Sequence, residues 1–330
     1  MRENIRSMRK AVCIPFAFFA GLSVLFGLLP VFVVAQSEVS PSEVSPSEPA
    51  GMAQSASFFK LQEFADLSYR GASETDTNQR LNLVLPVGVE PPPLLVWIGG
   101  GAWSYVNRNM EMDLARKVAR EGIAVASVGH RLSTAVFVDP ERTEGVQHPA
   151  HVKDVAAAFD WLHGQAEKYG YDAERIFVGG FSSGGHLAAL LSVDPQYLGA
   201  YDLEIGDIEG VIPIAGTYDV ADYREAFVGS TRPHLVEQHV EAVFGSTPEG
   251  WREASPTSFL ENLQVPMLLI SENQSFNYTR ILEDAIRETE FRDLVVMHLH
   301  KIGHAGLWQD MSHQEESVYR DYLVRFILEG

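Results

Sequence analysis

The chain has 330 residues, 46% of them apolar, and a formal charge of −19, a size that holds one large domain or two ordinary ones. A body this acidic repels phosphate backbones and anionic lipid surfaces, which argues against a nucleic-acid partner. The only cysteine, Cys13, lies near the start, so the rest of the chain can build no disulfide, thiolate metal site or thiol nucleophile.

The first element is a targeting segment. Arg2, Arg6, Arg9 and Lys10 precede an almost wholly apolar run over 11–34, and Val33-Val34-Ala35 offers small residues before Gln36. Residues 1–35 therefore read as a secretory signal. About 20 apolar residues also span a bilayer, so an uncleaved membrane anchor is the competing reading. Either way the body is expected outside the cytoplasm, secreted or periplasmic. Residues 36–57 follow as a linker, with the Ser/Glu/Pro repeat SEVSPSEVSPSEP inside it, a composition that buries no core. The folded domain is expected over 58–330.

Within that domain, Leu81–Leu85 alternates like a strand near a sheet edge. Leu94–Ile98 and Ile123–Val128 are continuous apolar runs, as in strands buried on both faces. Met110–Arg120 and Pro149–Tyr169 have helical spacing. Ile176–Val178 reads as a strand and Gly184–Ser192 as a helix. Val211–Ile214, Met267–Ile270 and Leu294–Leu299 read as further buried strands, and Ser317–Leu328 as a closing helix. This alternation predicts an α/β fold, a mostly parallel sheet with helices on both faces. Residues 218–262 interrupt it and are expected to form a small cap over the sheet's C-terminal edge.

The chemistry concentrates in Gly180-Phe181-Ser182-Ser183-Gly184, a Gly-x-Ser-x-Gly between a strand and a helix. Such a turn holds its serine in a strained conformation and needs tiny neighbours where strand and helix approach. Trp97-Ile98-Gly99-Gly100-Gly101-Ala102-Trp103 supplies a glycine loop whose backbone N–H groups at Gly100 and Gly101, with that of Ser183, can face an oxyanion. Among eleven histidines, His304 has the best position for a base, in a loop after a strand and before the last helix. Glu272 is the carboxylate in the loop where the third member belongs, and Asp219 is the fallback. His298-x-His300 has metal-ligand spacing without a third placed ligand, so no metal and no cofactor is expected.

From about residue 58 onward the chain resembles an α/β-hydrolase of the carboxylesterase and hormone-sensitive-lipase-like group, near bacterial feruloyl-esterase-like and arylformamidase-like members. The likeness is carried by Gly179 to Leu187, by Pro149, Asp154, Ala157 and Trp161, by Tyr169-Gly170 with Asp172 and Arg175-Ile176, by His130-Arg131-Leu132, by Phe244-Gly245 and Ala254-Ser255-Pro256, and by His304 with the stretch from Asp310 to Ile327. The family usually places His-Gly-Gly before the loop tryptophan, where this chain has Gly99. Its acid is an Asp near Gln274 or Ser275, which this chain lacks. The resemblance implies a serine hydrolase for small carboxylic esters, with Ser182 as nucleophile, His304 as base and Glu272 as acid. The rival expectation is a degenerate hydrolase fold kept as a binding or surface module.

Overall fold

The computed structural model describes residues 59–71, 76–89 and 91–329. The leader and linker predicted over 1–57, and the predicted boundary at residue 58, lie outside the described residues. Eight strands form one sheet: β1 (Lys60–Ser68), β2 (Arg80–Val87), β3 (Leu94–Ile98), β4 (Ala124–Val128), β5 (Ile176–Phe181), β6 (Gly210–Ile214), β7 (Met267–Glu272) and β8 (Leu294–Leu299). Their order is β1-β2-β4-β3-β5-β6-β7-β8. β2 is antiparallel to β1 and β4, while every pairing from β4 through β8 is parallel. The predicted mostly parallel α/β sheet is therefore present.

The apolar runs are continuous because both faces are covered. On β3, Leu94, Val96 and Ile98 belong to one core and Leu95 and Trp97 to the other. The first core is filled from α2 (Ala150–Tyr169), α3 (Ser183–Leu191), α4 (Pro195–Gly199) and α7 (Phe276–Arg287). The second is filled from α1 (Met112–Arg120), α8 (His304–His313) and α9 (Val318–Glu329). Between β6 and β7 lies the predicted cap, with α5 (Val220–Val228), a π-helical turn Val236–Glu241 running into Ala242–Phe244, and α6 (Pro248–Glu253). It is held to the segment before α2, where His148 N–H donates to the Val243 carbonyl at 2.7 Å.

Parallel strands end on one edge, so the loops after β3, β5, β6 and β7 meet there. Leu81–Leu85 lies second from the edge, near it as expected, with β1 pairing outside it. Two expectations are corrected. Leu294–Leu299 is not fully buried; β8 closes the sheet, and its residues are mostly half-buried. His304 does not sit in a loop but opens helix α8.

Candidate active site

Ser182 stands between the last residue of β5 and the first of α3, with φ 57° and ψ −119°. Those angles are costly for a residue with a Cβ and persist only where the surroundings enforce them. Here Ser182 N–H donates to the Ile214 carbonyl on β6 at 2.8 Å, and the Ser182 carbonyl accepts from His186 N–H at 3.1 Å. A Cβ on Gly184 would lie 2.0 Å from the Ile98 carbonyl oxygen, so only glycine lets α3 start this close to β3. Ser183 is the first helical residue, and first-turn N–H groups have no acceptor within their own helix.

The glycine loop passes directly beside this turn. The position a Cβ would take on Gly100 is 3.1 Å from Ser182 Cβ and 3.0 Å from Phe181 Cδ1. Gly101 has φ +153°, and a Cβ there would meet Val106 N at 2.6 Å. Its carbonyl accepts from the N–H groups of Ser104 at 2.9 Å and Tyr105 at 2.7 Å, closing a tight turn. Ala102 and Trp103 follow at φ 50° and 58°. Trp103 anchors the loop: its indole N–H donates to His186 Nδ1 at 3.2 Å, and its ring meets Phe244 of the cap edge-on at 4.8 Å.

His304 and Glu272 are both buried, and His304 Nδ1 lies 3.0 Å from Glu272 Oε1. An ionised carboxylate only accepts, so this contact places the proton on Nδ1 and leaves Nε2 as the basic nitrogen. Glu272 also accepts from Ser275 N–H at 3.0 Å and Gln274 N–H at 2.6 Å. The imidazole packs against Phe181, the residue before Ser182, with ring centroids 4.7 Å apart. Asp219, the fallback acid, is used elsewhere: it caps α5 by accepting from Asp222 N–H at 2.9 Å.

The BD-FAE family model matches residues 81–275, more than half of the chain, from β2 through the Glu272 loop. The chain belongs to the BD-FAE family. It is also 30% identical to esterase LipC of Mycobacterium tuberculosis over 55% of this chain and 44% of LipC. Against the probable carboxylic ester hydrolase LipM of the same organism it is 25% identical, over 64% of this chain and 49% of LipM. The chain thus spans about half the length of these relatives. With the kynurenine formamidase of Danio rerio it shares 24% identity, over 71% of this chain and 73% of that one. Among solved structures, an inhibited esterase B from Lactobacillus rhamnosis superposes with a TM-score of 0.66, at 18% identity over 82% of this chain and 85% of that one. That likeness speaks for the α/β-hydrolase fold.

Two residues of this BD-FAE site carry no signal in the local sequence. Gln274 Oε1 accepts from His304 N–H at 2.8 Å, so the residue standing near the family's usual Asp position caps the helix that His304 opens instead. Glu111, the residue before α1, is buried with its carboxylate against Trp97 and Trp308. A further Ser–His–acid chain exists in which Ser271 Oγ lies 2.6 Å from His298 Nδ1, and His298 Nε2 lies 2.9 Å from Glu283 Oε2. Ser271 has no exposed surface, so this chain fastens β7 to β8 and α7 rather than offering a nucleophile. It also accounts for His298, which had metal-ligand spacing with His300. Among the described residues, no group of three or more His, Cys, Asp or Glu is placed to hold a metal.

Burial dominates the electrostatics beneath the loop. It pulls His186 down to about 3 and His239 to about 4, so both stay neutral. His186 needs that state, because Nδ1 accepts from Trp103 while Nε2 donates to the Ala254 carbonyl at 2.7 Å. Burial pushes the Glu111 carboxyl up to about 7, with the Trp97 and Trp308 indole N–H groups pulling it back.

Proposed function

We propose that this chain is a serine hydrolase of small carboxylic esters working through an acyl-enzyme. The observation that carries the reading is Ser182, held at a positive φ where β5 turns into α3, with Gly100 beside it and the ring of His304 packed against the preceding Phe181. The esterase names of LipC and LipM support the same class.

In this mechanism Ser182 Oγ attacks the ester carbonyl carbon while His304 Nε2 takes its proton. The oxyanion is received by the N–H groups of Gly100, Gly101 and Ser183, preorganised by the loop and by the start of α3. Collapse of the tetrahedral intermediate expels the alcohol, protonated by His304. Water, deprotonated by the same imidazole, then releases the acid. Glu272 holds Nδ1–H and stabilises the imidazolium that forms at each transfer.

Turnover of p-nitrophenyl acetate and labelling by a fluorophosphonate test this. Both are expected in the parent chain, and both are expected to vanish in Ser182→Ala. An S182A protein that still labels removes this serine from the mechanism. A folded parent that neither labels nor hydrolyses returns the chain to a binding role. The long coverage shared with the Danio rerio kynurenine formamidase favours a second reading, hydrolysis of an N-formyl aryl amide by the same serine. Relative kcat/KM for an aryl acetate and a formanilide separates the two. The basic-then-apolar leader over 1–35 supports a site of action outside the cytoplasm, to be tested by fractionating cells that express the full chain.

A further inference from the structure

Glu111 is a buried ionisable group with no part in the steps above, and its surroundings join the two halves of the site. Its Oε2 accepts from the Trp97 indole N–H at 2.8 Å. Trp97 lies in β3, two residues before Gly99, the strand that delivers the oxyanion loop. The Trp308 indole N–H reaches the same carboxylate at 3.3 and 3.4 Å. Trp308 lies in α8, one turn after His304.

The carboxylate fills a gap left by a missing side chain. A Cβ on Gly99 would lie 2.8 Å from Glu111 Cγ and Oε1 and 2.9 Å from its Cδ. Those atoms are fixed by two indoles and cannot swing away as a surface side chain would. Gly99 is the slot where the resembled family carries histidine. In this chain the space beneath the loop is occupied from α1 instead, so the glycine at 99 and the glutamate at 111 fit as a pair.

We propose that Glu111 is a positioning residue, a single buried carboxylate that sets the oxyanion loop and the His304 helix relative to each other. This rests on the hydrolase reading above. A misplacement of about 1 Å between catalytic groups costs on the order of 100-fold in rate. A buried carboxylate joining a strand and a helix is well placed to prevent one.

The test counts active sites by fluorophosphonate titration of the full chain and reports kcat per labelled site, so that loss of folded protein does not register. In Glu111→Ala, per-site kcat for p-nitrophenyl acetate is expected to fall on the order of 10- to 100-fold with KM within about twofold. Glu111→Gln keeps an acceptor oxygen and the shape, and is expected to stay within about threefold of the parent. Gly99→Ala is expected to lose rate in the parent and to add nothing in the Glu111→Ala background, because the clash is gone. Per-site kcat in Glu111→Ala equal to the parent's, or losses at 99 and 111 that multiply, overturns the inference alone. A parent chain that neither labels nor turns over overturns the hydrolase reading and this inference with it.

Discussion

At the scale of single residues, the acid of the proposed triad is a position where this chain departs from the family it resembles. The usual Asp, near Gln274 or Ser275, is missing, and the carboxylate facing His304 comes from Glu272, at the end of β7. The polar groups that meet Glu272 there, His304 Nδ1–H, Ser275 N–H and Gln274 N–H, are all donors. An amide at 272 would set its own N–H₂ against one of them. Glu272→Gln is therefore expected to damage catalysis nearly as much as Glu272→Ala, with kcat down about 10³- to 10⁴-fold, the scale of losing a triad acid. Gln274→Ala removes only the cap on His304 N–H, and a loss nearer tenfold is expected. Steady-state kinetics on the three variants check this. A Glu272→Gln protein with full kcat would take the acid role away from residue 272.

At the scale of elements, Arg131 and Asp154 show how the fold joins distant parts of one motif. The loop after β4 supplies Arg131, and α2 supplies Asp154. Arg131 Nε and Nη2 donate to the carboxylate at 2.8 Å each, and Arg131 N–H and Gln79 Nε2 complete the set at 2.9 and 2.7 Å. Asp154 is buried, whereas the Arg131 side chain is 34% exposed. Breaking a buried pair costs about 3–5 kcal/mol when the remaining charge stays buried. Arg131 can hydrate and Asp154 cannot, so Arg131→Ala is expected to destabilise more than Asp154→Ala, which should sit near or below 3 kcal/mol. Urea denaturation midpoints read the order, and the reverse order would refute the argument. The same scale shows what the sequence makes legible. Apolar runs such as Leu94–Ile98 declare themselves because both faces of the strand are covered. β1 does not: it is an edge strand with a bulge between Phe64 and Leu67, mostly exposed, so no alternation survives. Helix α8 is hidden by Gly303 and Gly306 on either side of His304, although Gly303 is its cap in extended backbone and Gly306 lies inside it. Ser182 and His304 are readable because the Gly-x-Ser-x-Gly turn and a histidine between the last strand and the closing helix are visible in the sequence itself. Glu111 is not readable, because its neighbours Asn109, Met110, Met112 and Asp113 look like the start of any surface helix. The one local hint is the missing side chain at Gly99, which leaves a space that something else must fill.

At the scale of the whole molecule, the buried histidines set how stability depends on pH. Desolvation lowers His186 to about 3 and His239 to about 4, and it lowers His148 to about 4, with Lys153 adding to the effect there. Below pH 6.5 the unfolded chain takes up protons on these rings while the folded chain resists. Their stabilisation is thus complete above about pH 6.5 and is lost as pH falls toward the folded values. Each ring costs about 1.4 kcal/mol per pH unit in that window, so three cost about 4. Glu111 works in the opposite direction. Its folded value of about 7 lies above the ordinary glutamate value near 4.5, so its neutral form favours folding below about 4.5 and that advantage is lost as pH rises to 7. One carboxyl offsets about 1.4 kcal/mol per unit, and the histidines win. Burial lowers His130 and His151 in the same direction, so net stability is expected to fall by about 3 kcal/mol or more from pH 6 to pH 5, a large share of the 5–15 kcal/mol typical of a folded domain. Thermal melts from pH 8 to pH 5 should show Tm steady near neutrality and dropping steeply below 6.5. In Glu111→Gln the opposing contribution is gone, so the Tm of the variant relative to the parent should rise from pH 5 to about pH 7 and level off by pH 8. A parent whose Tm is flat between pH 6.5 and 5 would mean that these rings take up protons without unfolding the core around Trp103.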